Sequence, residues 1–155
     1  MTTPAPLSAT ALREQITLGQ PNPALSPEIA RCKASPLVRA GLHLHNGDWD
    51  AAHRLSQENP SSQGNHWHAL VHRHEPDYAN SKYWFHRVQE NPVFADLAQE
   101  ALRLGVAETV APGGNWDPFA FTDAYARPNR PDWALRLDRL EMTLLLDYLM
   151  RTEKS

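Results

Sequence analysis

The sequence predicts an all-α protein, on three observations. Four pairs of a short polar residue and proline (Ser26-Pro27, Ser35-Pro36, Asn91-Pro92 and Asp117-Pro118) read as helix starts, apolar residues recur at helical spacing after each, and no segment shows the period-two alternation of a half-buried strand. Proline suits the first turn of a helix, where an amide has no intrahelical partner, and the residue before it can accept from the exposed N–H groups. The expected organisation is a loosely ordered leader over residues 1–8 and a single helical domain over 9–155. Pro4, Pro6, Pro21, Pro23, Pro27 and Pro36 break the first quarter of the chain into short pieces.

The elements follow in order. Ser26-Pro27 and Ser35-Pro36 each open a short helix. Residues 37–46 and 49–58 then predict one antiparallel hairpin, and 66–75 and 78–90 a second; with their turns they occupy about 36–59 and 65–91. Asn91-Pro92 opens a helix in which Phe94, Leu97, Ala98, Ala101, Leu102 and Leu104 hold one apolar face until Gly105 ends it. Asp117-Pro118 opens another. In the last helix Trp133, Leu137, Leu140, Leu144 and Tyr148 step by four, three, four and four. Leu135, Met142, Leu145, Leu146 and Leu149 widen that stripe beyond a surface helix's usual third, so this helix is expected to be largely buried.

Composition removes several classes of function. The 155 residues carry a formal net charge of -3 with 41% hydrophobic residues, which excludes a disordered polyelectrolyte and a strongly basic nucleic-acid binder. Cys32 is the single cysteine, so neither a disulfide scaffold nor an all-cysteine zinc site is available, and a reducing compartment fits. No apolar run approaches the roughly 18 residues of a membrane span. The first residues lack the basic and apolar regions of a secretory signal. A soluble, cytoplasmic protein with no membrane partner is the expectation.

The middle of the chain repeats itself. His43-Leu44-His45-Asn46-Gly47-Asp48-Trp49 corresponds to His72-Arg73-His74-Glu75-Pro76-Asp77-Tyr78, 29 positions later. Ala40 falls with Ala69, Leu42 with Val71 and Ala51 with Asn80. Each copy reads as helix, tight turn, aspartate cap and a second helix opened by an aromatic, the grammar of a helical hairpin repeat. The phrases beginning at Gly47 and at Asp77 resemble the second helices of tetratricopeptide or Sel1-type repeats. That resemblance implies tetratricopeptide-like hairpins flanked by additional helices.

A second resemblance covers roughly Pro36 onward. His53 and Gln57, Trp67-His68-Ala69, His72-Arg73, Glu75, Asp77, Asn80 and Tyr83-Trp84-Phe85 are similar to the pattern of a family of small uncharacterised helical proteins from bacteria and fungi. Trp116-Asp117-Pro118-Phe119, Glu141 and Leu145 also fit it. The family highlights these residues and brings no activity.

All eight histidines lie between His43 and His86. On a helix His68, His72 and Glu75 share one face, and two imidazoles one turn apart can reach the same first-row metal. His53, in the preceding hairpin, is the candidate third nitrogen. Such a set suits zinc, iron or nickel and, with an open position, can activate water. The pattern lacks the glutamate that follows the first histidine of a zincin helix. Glu75 precedes Pro76, which disfavours helical geometry at that residue. The other readings are a metal-free polar pocket and structural histidines inherited by duplication. His45, His66, His74 and His86 read as solvent-facing or incidental.

Trp67, Tyr83, Trp84 and Phe85 could stack bases, with Arg54, Arg73 and Arg87 on phosphates. Asp48, Asp50, Glu58, Glu75 and Asp77 cancel that charge, so at least two of the rings are expected in the core and no nucleic acid is expected as partner. Asp48 and Asp77 read as helix caps, and Asn80 as a source of pocket polarity. The stretch Ala111 to Phe119 lacks the Lys-Ser/Thr of a phosphate loop and reads as a turn that delivers Trp116 to an apolar or groove-facing position.

Two functions remain. The leading one is a binding module whose groove, lined by His53, Gln57, Trp67, His68, His72, Glu75, Asp77, Asn80, Trp84 and Trp116, accepts a peptide or small polar ligand. The alternative is a small metal-dependent enzyme using His53, His68 and His72, with Glu75 or Asp77 as acid–base partner. A divalent transition metal is the one cofactor these residues suggest.

Overall fold

The computed structural model describes residues 4–89 and 91–153, and all its regular structure is helical. The helices are α1 (Ala9–Gln15), α2 (Ser26–Arg31), α3 (Pro36–His45), α4 (Trp49–Gln57), α5 (Ser62–His74), α6 (Tyr78–Phe85), α7 (Phe94–Arg103), α8 (Ala107–Val110), α9 (Pro118–Tyr125) and α10 (Asp132–Thr152). Single 3₁₀ turns precede α2 and α9. Among the described residues the sole extended pairing is an isolated bridge between Thr17 and Gln20.

Two of the four expected helix starts form as read, and two shift. Ser35 Oγ accepts from the Val38 amide, and Asp117 Oδ1 accepts from Phe119 and Ala120. Ser26 does not cap: α2 begins at Ser26 itself, after a 3₁₀ turn that Asn22 caps through the Ala24 amide. Asn91 Oδ1 does accept from Val93 and Phe94, but α7 starts at Phe94, because Pro92 lies in a bend before the first turn. Gly105 ends α7 with φ +77°, and the Val106 amide reaches back to the Ala101 carbonyl across it.

The expected loose leader covers residues 1–8. Residues 1–3 lie outside the described residues. The Pro4 carbonyl accepts from Arg31 Nη2 at 2.6 Å, Leu7 packs against the core, and Ser8 caps α1.

Helices α3 and α4 pair, as do α5 and α6, and α4 packs on α5 to join the two hairpins. Their turns match in detail. The Asp48 amide reaches the His43 carbonyl at 2.9 Å, and the Asp77 amide reaches the His72 carbonyl at 2.8 Å. Asp48 caps Ala51, and Asp77 caps Asn80. Between them Gly47 takes φ +77°, where its counterpart Pro76 has φ 24°. Ala40 with Ala69, and Leu42 with Val71, are fully buried at equivalent positions. The second hairpin starts earlier and ends sooner than read, at Ser62 and Phe85.

Helix α10 is the spine. Its 21 residues span about 32 Å. Its last turns (Met142, Leu145, Leu146, Leu149) close a core built by α1 to α6, and its first turns (Ala134, Leu137) close a second core with α7, α8 and α9. The buried stripe runs beside the one expected. Trp133, Leu140, Leu144 and Tyr148 are half-buried and Leu135 is exposed, while Asp138 and Glu141 point inward with 1% and 0% exposure.

These two acids receive Arg73, which is 0% exposed. Its Nη1 donates to Asp138 at 3.0 Å and to Glu141 at 2.9 Å. Its guanidinium also lies over Phe121 (4.7 Å), Phe85 (5.4 Å) and Tyr125 (5.7 Å). His66 Nε2 meets Glu141 at 2.7 Å, and His74 Nε2 meets both Asp138 oxygens at 3.0 Å. Asn91 spends its Oδ1 on two backbone amides, so its Nδ2 donates to His66 Nδ1 at 3.1 Å. His66 therefore carries its proton on Nε2 and donates it to Glu141. This polar chain links α5 to α10 through side chains, between residues of the two cores.

Candidate metal centre

The hairpin packing brings three histidines together. His53 projects from α4, one turn after the aspartate-capped start at Trp49; His68 and His72 project one turn apart from α5, which packs on α4. One ring nitrogen of each lies within 4.8 Å of the other two. His53 Nε2 and His68 Nε2 are 3.1 Å apart. The His53 ring stands edge-on to His68 (centroids 4.6 Å) and to His72 (5.3 Å), while His68 and His72 stack at 4.9 Å. His68 is buried at 3% exposure, whereas His53 and His72 are half-buried, so the cluster has a closed side and an open one.

Trp84 of α6 forms the closed side, stacked on His68 with centroids 3.9 Å apart and planes 17° apart. Arg87 lies over the rings of Tyr83 and Trp84 at 5.1 and 5.5 Å, extending a shelf beside the histidines. His72 Nδ1 faces Glu75 at 3.6 Å and Asp77 at 3.8 Å across the turn. Asp77 is itself held by Asn80 Nδ2 at 2.7 Å, and this hydrogen bond is the main cause that lowers its pKa.

Burial pushes the His68 imidazole down to about 4, with His53 and then His72 acting in the same direction. Burial also lowers His72, opposed by Glu75 and reinforced by His53. Protons are therefore disfavoured on His68 and His72, and the lone pairs of these two rings stay available near neutral pH. A first-row cation needs that state, since imidazole binds metal only when unprotonated. His68 Nδ1 and His72 Nδ1 are buried without hydrogen-bond partners.

The site belongs to one pair of helices and is not duplicated. Subtracting the repeat period, His68 corresponds to Arg39, and adding it, His53 corresponds to Lys82, which pairs with Asp123 at 2.6 Å. His43 keeps only the contact equivalent to that of His72, 3.7 Å from Asp48.

Of the groove residues read from the sequence, His53, His68, His72, Trp84, Glu75 and Asp77 come together, with Asn80 behind Asp77. Gln57, one turn beyond His53, is exposed. Trp67 lies elsewhere: it is 0% exposed in the core, packed under Gly41. Trp116 is in the second core, 4.9 Å from Phe121. Both follow from apolar area, since a wide indole gains most when fully covered. Among the rings expected in the core, Trp67 and Phe85 are there, and Tyr83 is 48% exposed.

Three histidines read as incidental are not. His45 is buried with Nδ1 on the Gly41 carbonyl at 2.7 Å, and His66 and His74 hold the carboxylates of α10. His86 alone is exposed, against Phe119. Arg73, considered for phosphate contact, is sealed in the core. The signal for that network was present: Asp138 and Glu141, three residues apart, interrupt the apolar stripe of α10.

Among the described residues no helix is long and apolar enough to cross a membrane. Comparison with known protein families, with curated proteins and with solved structures finds no match to this chain.

Proposed function

We propose that this chain is a metal-binding helical protein, holding one divalent first-row transition ion on His53, His68 and His72. The convergence of three imidazoles from two packed helices carries the reading. Nitrogens at 2.0–2.1 Å from a tetrahedral ion are about 3.4 Å apart. The His53–His68 pair, at 3.1 Å, is already close to that separation, and His72 needs a small inward rotation. With three protein ligands the ion keeps one position for water or a ligand. The half-buried His53 and His72 leave that position reachable, and Asp77 is near enough to His72 to orient it and to take part in proton transfer. The ion would then act as Lewis acid or capture site for a small polar ligand.

A second reading rests on the shelf of Tyr83, Trp84 and Arg87 beside the histidines. In it the tetratricopeptide-like hairpins form a metal-free polar groove for a peptide or small polar ligand. The two readings differ in one measurement. Protein purified without an affinity tag is analysed for Zn, Fe, Ni, Co and Mn, and the apoprotein is titrated with Zn²⁺ and Co²⁺. One ion per chain, with the absorption of tetrahedral Co²⁺, supports the metal reading. Absence of metal together with no uptake of either ion overturns it in favour of the groove.

A further inference from the structure

The imidazoles of the three-histidine cluster are not oriented in the same way. His72 turns its Nδ1 toward Glu75 at 3.6 Å and Asp77 at 3.8 Å. His68 has no such carboxylate. Its Nε2 faces His53 Nε2 at 3.1 Å, and its Nδ1 is buried with no hydrogen-bond partner among the described residues. A metal-ligating histidine ordinarily donates its second ring N–H to a carboxylate, a carbonyl or a water, and that bond fixes the ring. At His68 the ring is held by stacking instead.

Trp84 lies 3.9 Å from His68, centroid to centroid, with planes 17° apart, and His68 lies 4.9 Å from His72 with planes 23° apart. His53 stands across both rings, at 87° to His68 and 76° to His72. Turning the His68 plane would break its stack on the indole and carry Nε2 away from His53. The indole is itself fastened from α6. Ser81 Oγ donates to the Ala69 carbonyl at 2.8 Å, next in sequence to His68, and Phe85 is 3% exposed in the core, so the residues flanking Trp84 tie that helix to α5. The Tyr83 ring stands edge-on to Trp84 at 5.1 Å, and the Arg87 guanidinium lies 5.5 Å from the Trp84 ring. A second effect acts through the same contact. An ion on His68 draws electron density out of the imidazole, and the face of an indole attracts positive charge. That attraction exists only with the ion in place, so it favours the loaded site.

We propose that Trp84 is a positioning residue of the metal site: its indole face sets the plane of the His68 imidazole and tightens the hold on a divalent first-row ion. This inference rests on the reading of His53, His68 and His72 as metal ligands.

The test is the Zn²⁺ affinity of the full chain, measured by competition with a chromophoric chelator, beside Trp84→Phe, Trp84→Leu and Leu137→Ala. Trp84→Leu should still take up one ion per chain but bind it about 10- to 100-fold more weakly, with Co²⁺ absorption bands displaced from those of the unaltered chain. Trp84→Phe keeps an aromatic face and should stay within about threefold of the unaltered chain. Leu137 is fully buried in the second core, so Leu137→Ala should lower the melting temperature and leave Zn²⁺ affinity unchanged. Trp84→Met, which fills space without a ring, makes the same comparison if the leucine variant fails to fold. Full affinity in the ringless variants, or an equal loss in Trp84→Phe or Leu137→Ala, overturns the role of Trp84 and leaves the metal reading standing. No uptake by the unaltered chain overturns both.

Discussion

His68 and Trp84 lie face to face with ring centroids 3.9 Å apart, so the histidine at the centre of the candidate metal site is also a packing residue of the second hairpin. Position and chemistry are coupled here: burial, to which the stacked indole belongs, lowers the His68 pKa to about 4.

Substitutions of the triad should therefore divide. His68→Ala is expected to abolish Zn²⁺ uptake and to lower stability by about 1–3 kcal/mol, through the lost stack and the space left behind. His53→Ala, at a half-buried position, should abolish uptake with a smaller stability loss. Metal content and urea midpoints of both variants check this; retention of a full equivalent of zinc by either one contradicts it.

Arg73 should be among the most sensitive positions in the chain. Arg73→Met takes the guanidinium from buried Asp138 and Glu141 and leaves them only His74 and His66 as partners, which costs about 3–5 kcal/mol. Replacing all three by apolar residues of similar volume removes the charges together and should recover most of that loss. Urea denaturation of the single and triple variants gives the comparison.

Acid should destabilise the metal-free protein between about pH 6.5 and pH 4. Burial lowers His45 and His68 from 6.5 to about 4. In that window the unfolded chain binds protons that the folded chain refuses, so stability is fully present above it and declines as pH falls. The urea midpoint at pH 5 should lie below that at pH 7, and His45→Leu should flatten the difference. A midpoint independent of pH across this range would contradict the assignment.

Gly41→Ala tests how tightly α3 sits on Trp67. An alanine within a helix is ordinarily favoured over glycine by up to about 1 kcal/mol. At this position a Cβ would come 2.5 Å from Trp67 Cζ2 and 3.0 Å from Leu146 Cδ1. The clash should win, with a net loss of about 1–3 kcal/mol and a lower melting temperature.

The all-helical class, the hairpin turns and the His68–His72 face were legible in the residues themselves. Local rules govern them: Asp48 and Asp77 cap the helices that follow, Gly105 turns the chain out of α7, and a spacing of four places two imidazoles on one side of a helix. Which helix His53 would face, and that Trp67 and Trp116 would be withdrawn from any groove, depended on how α4, α5 and α10 cross. Pattern alone cannot distinguish an indole that lines a cleft from one that fills a core. The roles of Arg73, His66 and His74 were likewise decided in three dimensions, because their partners Asp138 and Glu141 lie more than 60 residues away. A charged side chain enters a core only where its counter-charges arrive with it, and tertiary packing alone brings them together.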